Sequence, residues 1–247
     1  STPVGRIIAR TCGEHLKPAV LELGGKAPLL VLDDADLEQA AAGAIFGAFA
    51  NAGQICMSTE RIIVDATVAE AFVAQLARRA AALPASLLGP VVDMKTVTRC
   101  NALIEDALAK GARLLAGGLS DSPQMRATLL DGVTREMRIW HEESFGPVKS
   151  IIRVKDEAEA LAVANESEYG LSSAIYSRDS ARAWNLAQNL QTGICHINGP
   201  TVHDEAQMPF GGCKSSGYGR FGGRAGIAEF TELRWITLQT VPRELPF

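Results

Sequence analysis

Short apolar runs of strand length alternate with longer helix-patterned segments through most of this chain, and no other feature narrows the fold as much. Strands are expected near residues 17–23, 27–32, 61–65, 112–116, 127–133, 147–155, 172–177 and 192–198. Helices are expected over 1–15, from the acidic cluster Asp33-Asp34-Ala35-Asp36 to about Asn51, and over 68–83, 96–110, 156–166, 180–191 and 222–229. A helix between two strands carries the chain back to its starting edge, so the next strand runs parallel to the last. Repeated units of this length imply an α/β fold, a mostly parallel sheet covered by helices.

Local signals agree with that layout. Ser1 or Thr2 can cap the first helix, with Pro3 in its first turn where a missing N–H costs nothing. The aspartates at 33, 34 and 36 suit a helix start, because negative charge is favourable at that end of the helix dipole. The helix that follows is rich in small residues (Ala40, Ala41, Ala42, Gly43, Ala44, Gly47), which permit close packing. Residues 199–221 are Gly-rich and irregular and are expected to line the mouth of a site. Leu233 to Val241 alternates apolar and polar residues, as a strand would.

Composition removes several function classes. At 47% hydrophobic and 21% charged, the chain has the balance of a soluble globular protein. A net charge of −4 gives no basic footprint for nucleic acid. No apolar run approaches the roughly 20 residues needed to span a bilayer, and the first residues lack a secretion-signal layout. Five cysteines (Cys12, Cys56, Cys100, Cys195, Cys213) are an odd number, scattered and without a C-x-x-C pair. That argues against a disulfide framework and against a metal site, and it fits a reducing cytoplasm.

Two stretches carry residues suited to chemistry. In Gly53-Gln54-Ile55-Cys56-Met57-Ser58-Thr59-Glu60 a cysteine sits in a turn between a helix and a strand, where a thiol can be reached. In Leu21-Glu22-Leu23-Gly24-Gly25-Lys26 one carboxylate interrupts an apolar run, a setting that raises its pKa and suits it to accept a proton near neutral pH. A thiol nucleophile and a general base together make a covalent catalyst. Taken singly, a lone cysteine is more often a small core residue, and a glutamate beside two glycines more often a cap or ion-pair partner.

These two stretches, whose key residues lie 34 positions apart, resemble the glutamate and cysteine signatures of the aldehyde dehydrogenase superfamily. Three more stretches match the family in order: Glu142 to Pro147, Asn198-Gly199, and Pro209 to Arg220. The likeness runs from Ser1 to at least Thr240. It implies oxidation of an aldehyde to a carboxylic acid with NAD, or NADP, through a thiohemiacetal and a thioester on Cys56. Glu22 then activates the hydrolytic water. By the same resemblance, Glu143 holds the nicotinamide ribose and Phe145 packs near the nicotinamide. Leu23 and Gly24 lie beside that ring, and Ser1 contacts the pyrophosphate. Phe210 forms an aromatic wall of the aldehyde pocket, with Ile55 and Met57 beside the nucleophile. His141, His196 and His203 match no catalytic position of the family and read as structural or surface residues. Cys195 is expected to be buried, and Cys213 lies in a loop.

Residues 53–65, 196–212 and 215–227 look most like the branch of the family that oxidises aromatic aldehydes such as benzaldehyde, salicylaldehyde and vanillin. A medium aliphatic aldehyde fits the same residues. A CoA-acylating relative is an alternative, but that subgroup lacks the general-base glutamate. A third reading is a thiol esterase or binding module without a dinucleotide, because family members are about twice this length and the chain resembles their C-terminal half. On this reading residues 1–24 are a remnant of the dinucleotide-binding domain, 25–221 the catalytic domain, and 222–247 a helix and an oligomerisation strand of a homodimer or homotetramer. The stretch Leu83 to Pro90 is shorter than the family's usual loop.

Overall fold

The computed structural model describes residues 1–247. A seven-stranded sheet forms the centre, in the order Arg113–Ala116, Thr128–Asp131, Val148–Val154, Thr59–Asp65, Ala27–Val31, Ser172–Tyr176 and Ile194–Ile197. Every neighbouring pair is parallel except the first, where the edge strand Arg113–Ala116 runs antiparallel. The expected mostly parallel α/β architecture is therefore the one observed.

The strands alternate strictly between two apolar clusters. Leu29, Val31, Ile62, Val64 and Ala174 face helices Leu37–Phe49 and Ala66–Ala82. Leu30, Ile63, Ile152 and Ile175 face the other side, against Met94–Ala109, Glu157–Asn165 and Ser180–Ala187. Successive side chains of a strand point to opposite faces, so near-continuous apolar runs are what a sheet covered on both faces requires. Five of the helices open on an aspartate whose carboxylate accepts first-turn backbone N–H groups: Asp36, Asp65, Asp93, Asp156 and Asp179. Each satisfies donors that a helix start leaves free.

Two expected strands differ. Over residues 17–23 only Leu21–Glu22 is extended and paired, antiparallel to Gly217–Tyr218. Leu16 is in a left-handed turn, Lys17 and Pro18 are exposed, and proline has no N–H to give to a ladder. The strand expected from Leu233 to Val241 forms no pairing within the chain, and Leu233, Trp235, Ile236, Leu238 and Val241 stand exposed. A strand needs a partner for its N–H and C=O groups, and none is near. The trimmed stretch at residues 85–88 is a single helical turn, Ala85–Leu88. No helix is long and apolar enough to cross a membrane.

Close packing is not uniform. A Cβ on Gly43 would lie 1.8 Å from the Tyr176 hydroxyl, whereas one on Gly13 would meet nothing within 4 Å. Gly43→Ala should therefore destabilise the chain by about 1–3 kcal/mol through overpacking. Gly13→Ala should leave it unchanged or stabilise it by up to about 1 kcal/mol through helix propensity. Urea unfolding of both variants checks the contrast.

Candidate active site

The turn that carries Cys56 is built by backbone strain and one close approach. Helix Leu37–Phe49 gives way to a tight turn at Ala50–Gly53 in which Asn51, Ala52 and Gly53 all have positive φ (51°, 54° and 72°). Positive φ is unfavourable for a residue with a Cβ, and at Gly53 a Cβ would also fall 2.3 Å from the Gly146 carbonyl oxygen. The Ser58 N–H then donates to the Ile55 carbonyl at 2.8 Å, closing a turn around Cys56. The Ser58 hydroxyl bonds the Gly47 carbonyl at 3.0 Å, which ties that turn back to its helix.

The glutamate stretch is seated directly against this turn. A Cβ on Gly25 would lie 2.2 Å from the Cys56 carbonyl oxygen, so the two backbones touch only because residue 25 is glycine. On its other side the stretch is held by the Gly-rich segment. The Leu23 N–H donates to the Ser216 carbonyl at 3.0 Å, and the Ser216 hydroxyl donates to the Gly24 carbonyl at 2.7 Å. At Gly217, with φ 115°, a Cβ would be 1.9 Å from the Leu21 carbonyl oxygen. Glycines here set backbone distance.

A cleft of about 660 Å³ opens over these stretches, lined by Ser1, Glu22, Leu23, Gly24, Cys56, Glu143, Phe145 and Phe210 among others. Eight of the ten residues singled out from the sequence thus meet in one place. Ile55 and Met57 do not line it. Met57 is turned into the protein at 8% exposure, because side chains on either side of Cys56 in a tight turn cannot share its direction. Arg99, His141, Glu142, Glu168 and Tyr169 also line the cleft and were not expected there. Arg99 could not be found from spacing, since it reaches the site from helix Met94–Ala109 to donate to the Ser144 carbonyl at 3.1 Å. His141 is exposed at the rim, as its surface reading implied. Cys195, expected to be buried, is only half-buried on the edge strand Ile194–Ile197.

The electrostatics fit a thiol that rests protonated beside a base. Burial raises the Cys56 pKa above its ordinary value, and Glu22 and Glu143 raise it further. The backbone N–H groups of Met57 and Cys56 pull the other way. Burial also raises Glu22, against a weaker opposing effect from Arg220 and from the Gly212 N–H. Both Glu22 carboxylate oxygens are buried without a hydrogen-bond partner of ordinary geometry. A buried carboxylate left without a donor is costly unless it is protonated or bonded to an incoming molecule.

Glu143 is also raised by burial, and its Oε1 accepts the Gly25 N–H at 2.8 Å. A Cβ on Gly24 would sit 2.6 Å from Glu143 Oε2, so the carboxylate rests on bare backbone. Ser1 caps helix Thr2–Glu14 without a side-chain bond. Ser1 lines the same cleft, and a helix start is a setting that favours an anion. A carboxylate seated on bare backbone and a helix start thus line one cleft, and this lining fits a dinucleotide. A second cavity of about 330 Å³ shares Phe210 and is lined by Cys195, His196 and His203.

Alkylation of Cys56 by iodoacetamide should follow a pH profile with its midpoint above that of a free cysteine. Glu22→Gln removes a negative charge beside the thiolate and should shift that midpoint down, speeding alkylation at pH 8. An unshifted or raised midpoint in the variant would contradict the electrostatic account.

Comparison with known proteins gives one consistent result. The family model described as "Aldehyde dehydrogenase family" matches residues 1–236. A vanillin dehydrogenase of Pseudomonas fluorescens is 62% identical over 253 aligned residues, covering 100% of this chain and 52% of the relative. The crystal structure of a salicylaldehyde dehydrogenase from Pseudomonas putida G7, complexed with salicylaldehyde, superposes with a TM-score of 0.97 at 48% identity. It covers 100% of this chain and 53% of that one. An aldehyde dehydrogenase of Mycobacterium tuberculosis complexed with NAD+ superposes with a TM-score of 0.89 at 36% identity, over 94% of this chain and 50% of that one. The chain spans about half the length of the curated relatives it matches.

Proposed function

The chain belongs to the aldehyde dehydrogenase family, and on that premise we propose that the protein carrying it oxidises an aromatic aldehyde to its carboxylic acid. One observation carries the reading: a single cleft collects the Cys56 thiol, an unpartnered buried carboxylate at Glu22 and a backbone-seated carboxylate at Glu143.

The Cys56 thiol gives its proton to solvent water, and the thiolate sulfur adds to the aldehyde carbon. The carbonyl oxygen gains the electron pair and is stabilised by the Cys56 backbone N–H. A nicotinamide dinucleotide, when bound, supplies the two-electron acceptor that turns the thiohemiacetal into a thioester. Glu143 and Ser1 would hold its ribose and phosphates, and Leu23, Gly24 and Phe145 would border its ring. Glu22, in its unprotonated form, removes a proton from water as the water attacks the thioester carbon. The Cys56 sulfur leaves, takes up a proton, and releases the acid. NAD is favoured as the acceptor, with NADP the alternative, since the chain is similar both to an NAD+-complexed and to an NADP-complexed relative.

The substrate class rests on the vanillin and salicylaldehyde dehydrogenases to which the chain is similar, and on the aromatic face of Phe210 in the cleft. The exposed apolar side chains from Leu233 to Val241 support pairing of that segment with a second copy of the chain.

Stopped-flow NADH formation with vanillin, salicylaldehyde and hexanal is the test. Cys56→Ala should abolish it. Glu22→Gln should keep a single burst of NADH and lose steady turnover by about 10²–10⁴-fold. In the parent protein, steady turnover should fall as pH drops through the raised Glu22 pKa, because only the unprotonated carboxylate can take the water's proton. A preference for hexanal would overturn the aromatic reading, and ester hydrolysis without NADH would favour a thiol esterase.

A further inference from the structure

Four residues past the nucleophile, Glu60 is fully enclosed at the start of strand Thr59–Asp65. Its carboxylate meets two equally buried cations, Lys26 Nζ at 2.8 Å and Lys149 Nζ at 2.6 Å. It also accepts the Ser144 N–H at 2.9 Å and the Ser144 hydroxyl at 2.5 Å. Lys26, in turn, donates to the Glu142 carbonyl at 2.5 Å. The backbone is therefore pinned on both sides of Glu143, at residue 142 by Lys26 and at residue 144 by Glu60. Gly25, the neighbour of Lys26, holds the Glu143 carboxylate itself.

We propose that Glu60 is a positioning residue for the dinucleotide site, fixing Glu143 through Ser144 and through the Lys26 contact to the Glu142 carbonyl. The inference rests on the reading of Glu143 as the ribose ligand. The loop needs such an anchor. Phe145 has φ 42°, an unfavourable backbone conformation for a residue with a side chain, and persists only where its surroundings hold it. The Ser144 hydroxyl oxygen also lies 3.1 Å from the Gly146 carbonyl oxygen, across that strained residue. The network reaches the nucleophile's turn as well, since a Cβ on Gly53 would lie 3.0 Å from Lys149 Nζ. Burial would raise the Glu60 pKa, but Lys149 and Lys26 outweigh it and lower it to about 2. The two lysines thus favour the charged form of the anchor.

The test uses the protein carrying this chain and NADH fluorescence titration. Glu60→Gln paired with Lys149→Met removes one charge of each sign, so the buried cluster keeps its net charge. The pair should weaken NADH binding about tenfold or more by misplacing Glu143. Glu143→Gln should weaken binding by itself, and adding the pair to it should cost nothing further, because both act on one contact. A role confined to overall stability would instead multiply the two losses. If the pair does not fold, Ser144→Ala replaces it, with a smaller loss of NADH affinity expected and again none in the Glu143→Gln background. Parent-like binding by the pair or by Ser144→Ala, with Glu143→Gln weak, overturns the inference alone. Parent-like binding by Glu143→Gln overturns the ribose reading and the inference with it.

Discussion

The site depends first on the seating of Gly25 against the Cys56 carbonyl. A methyl group at residue 25 would lie 2.2 Å from that oxygen, far inside any tolerable contact. The approach brings the Glu22 stretch over the nucleophile's turn, and the Gly25 N–H then anchors Glu143 from the same backbone. Three residues far apart in sequence thus share one cleft through a single backbone contact. The sheet supplies the rest, because strands Ala27–Val31 and Thr59–Asp65 are parallel neighbours that begin just past Glu22 and Cys56. Parallel strands start at the same edge, so the residues just before them meet there.

A buried cluster of charges is an unusual way to hold such an edge. Taking Lys26, Glu60 and Lys149 out of water costs several kcal/mol per ion, and their mutual attraction repays this only where every donor and acceptor is used. Here the carboxylate uses both oxygens, on two lysines, a serine hydroxyl and a backbone N–H. Apolar residues of the same volume often serve stability as well. What they cannot do is define where a neighbouring loop lies, since dispersion has little direction and hydrogen bonds have much. Nearby, Arg61 does a similar task with backbone acceptors, donating to the Val163 and Ala164 carbonyls at 2.8 Å each and so closing the end of helix Glu157–Asn165.

Much of this was legible in the sequence, for local reasons. Apolar runs such as 27–31 and 59–65 read as strands because a sheet covered on both faces leaves no polar side. Cys56 and Glu22 stood out for the chemistry their local setting allows, and the family resemblance added Glu143, Phe145 and Phe210. What was missed depends on distance in space. Glu60 looks like any charged residue after a turn until Lys149, 89 positions on, is brought to it. Arg99 lies on a helix whose own pattern says only which face is buried. Ile55 and Met57 lie outside the lining of this cleft, and sequence adjacency to Cys56 says nothing of side-chain direction in a turn. The Leu233 to Val241 stretch has a strand's alternation, but strand formation needs a partner that this chain does not contain.

The claim on which the account stands is that Cys56 is the residue that becomes acylated. The most direct measurement is mass spectrometry of the protein carrying this chain, in its Glu22→Gln form, quenched in acid after mixing with NAD and vanillin. The account predicts a vanilloyl adduct on the peptide containing Cys56, released by hydroxylamine as a thioester would be. An adduct on Cys213 or Cys195 instead, or NADH formed with no acylated cysteine, would contradict it.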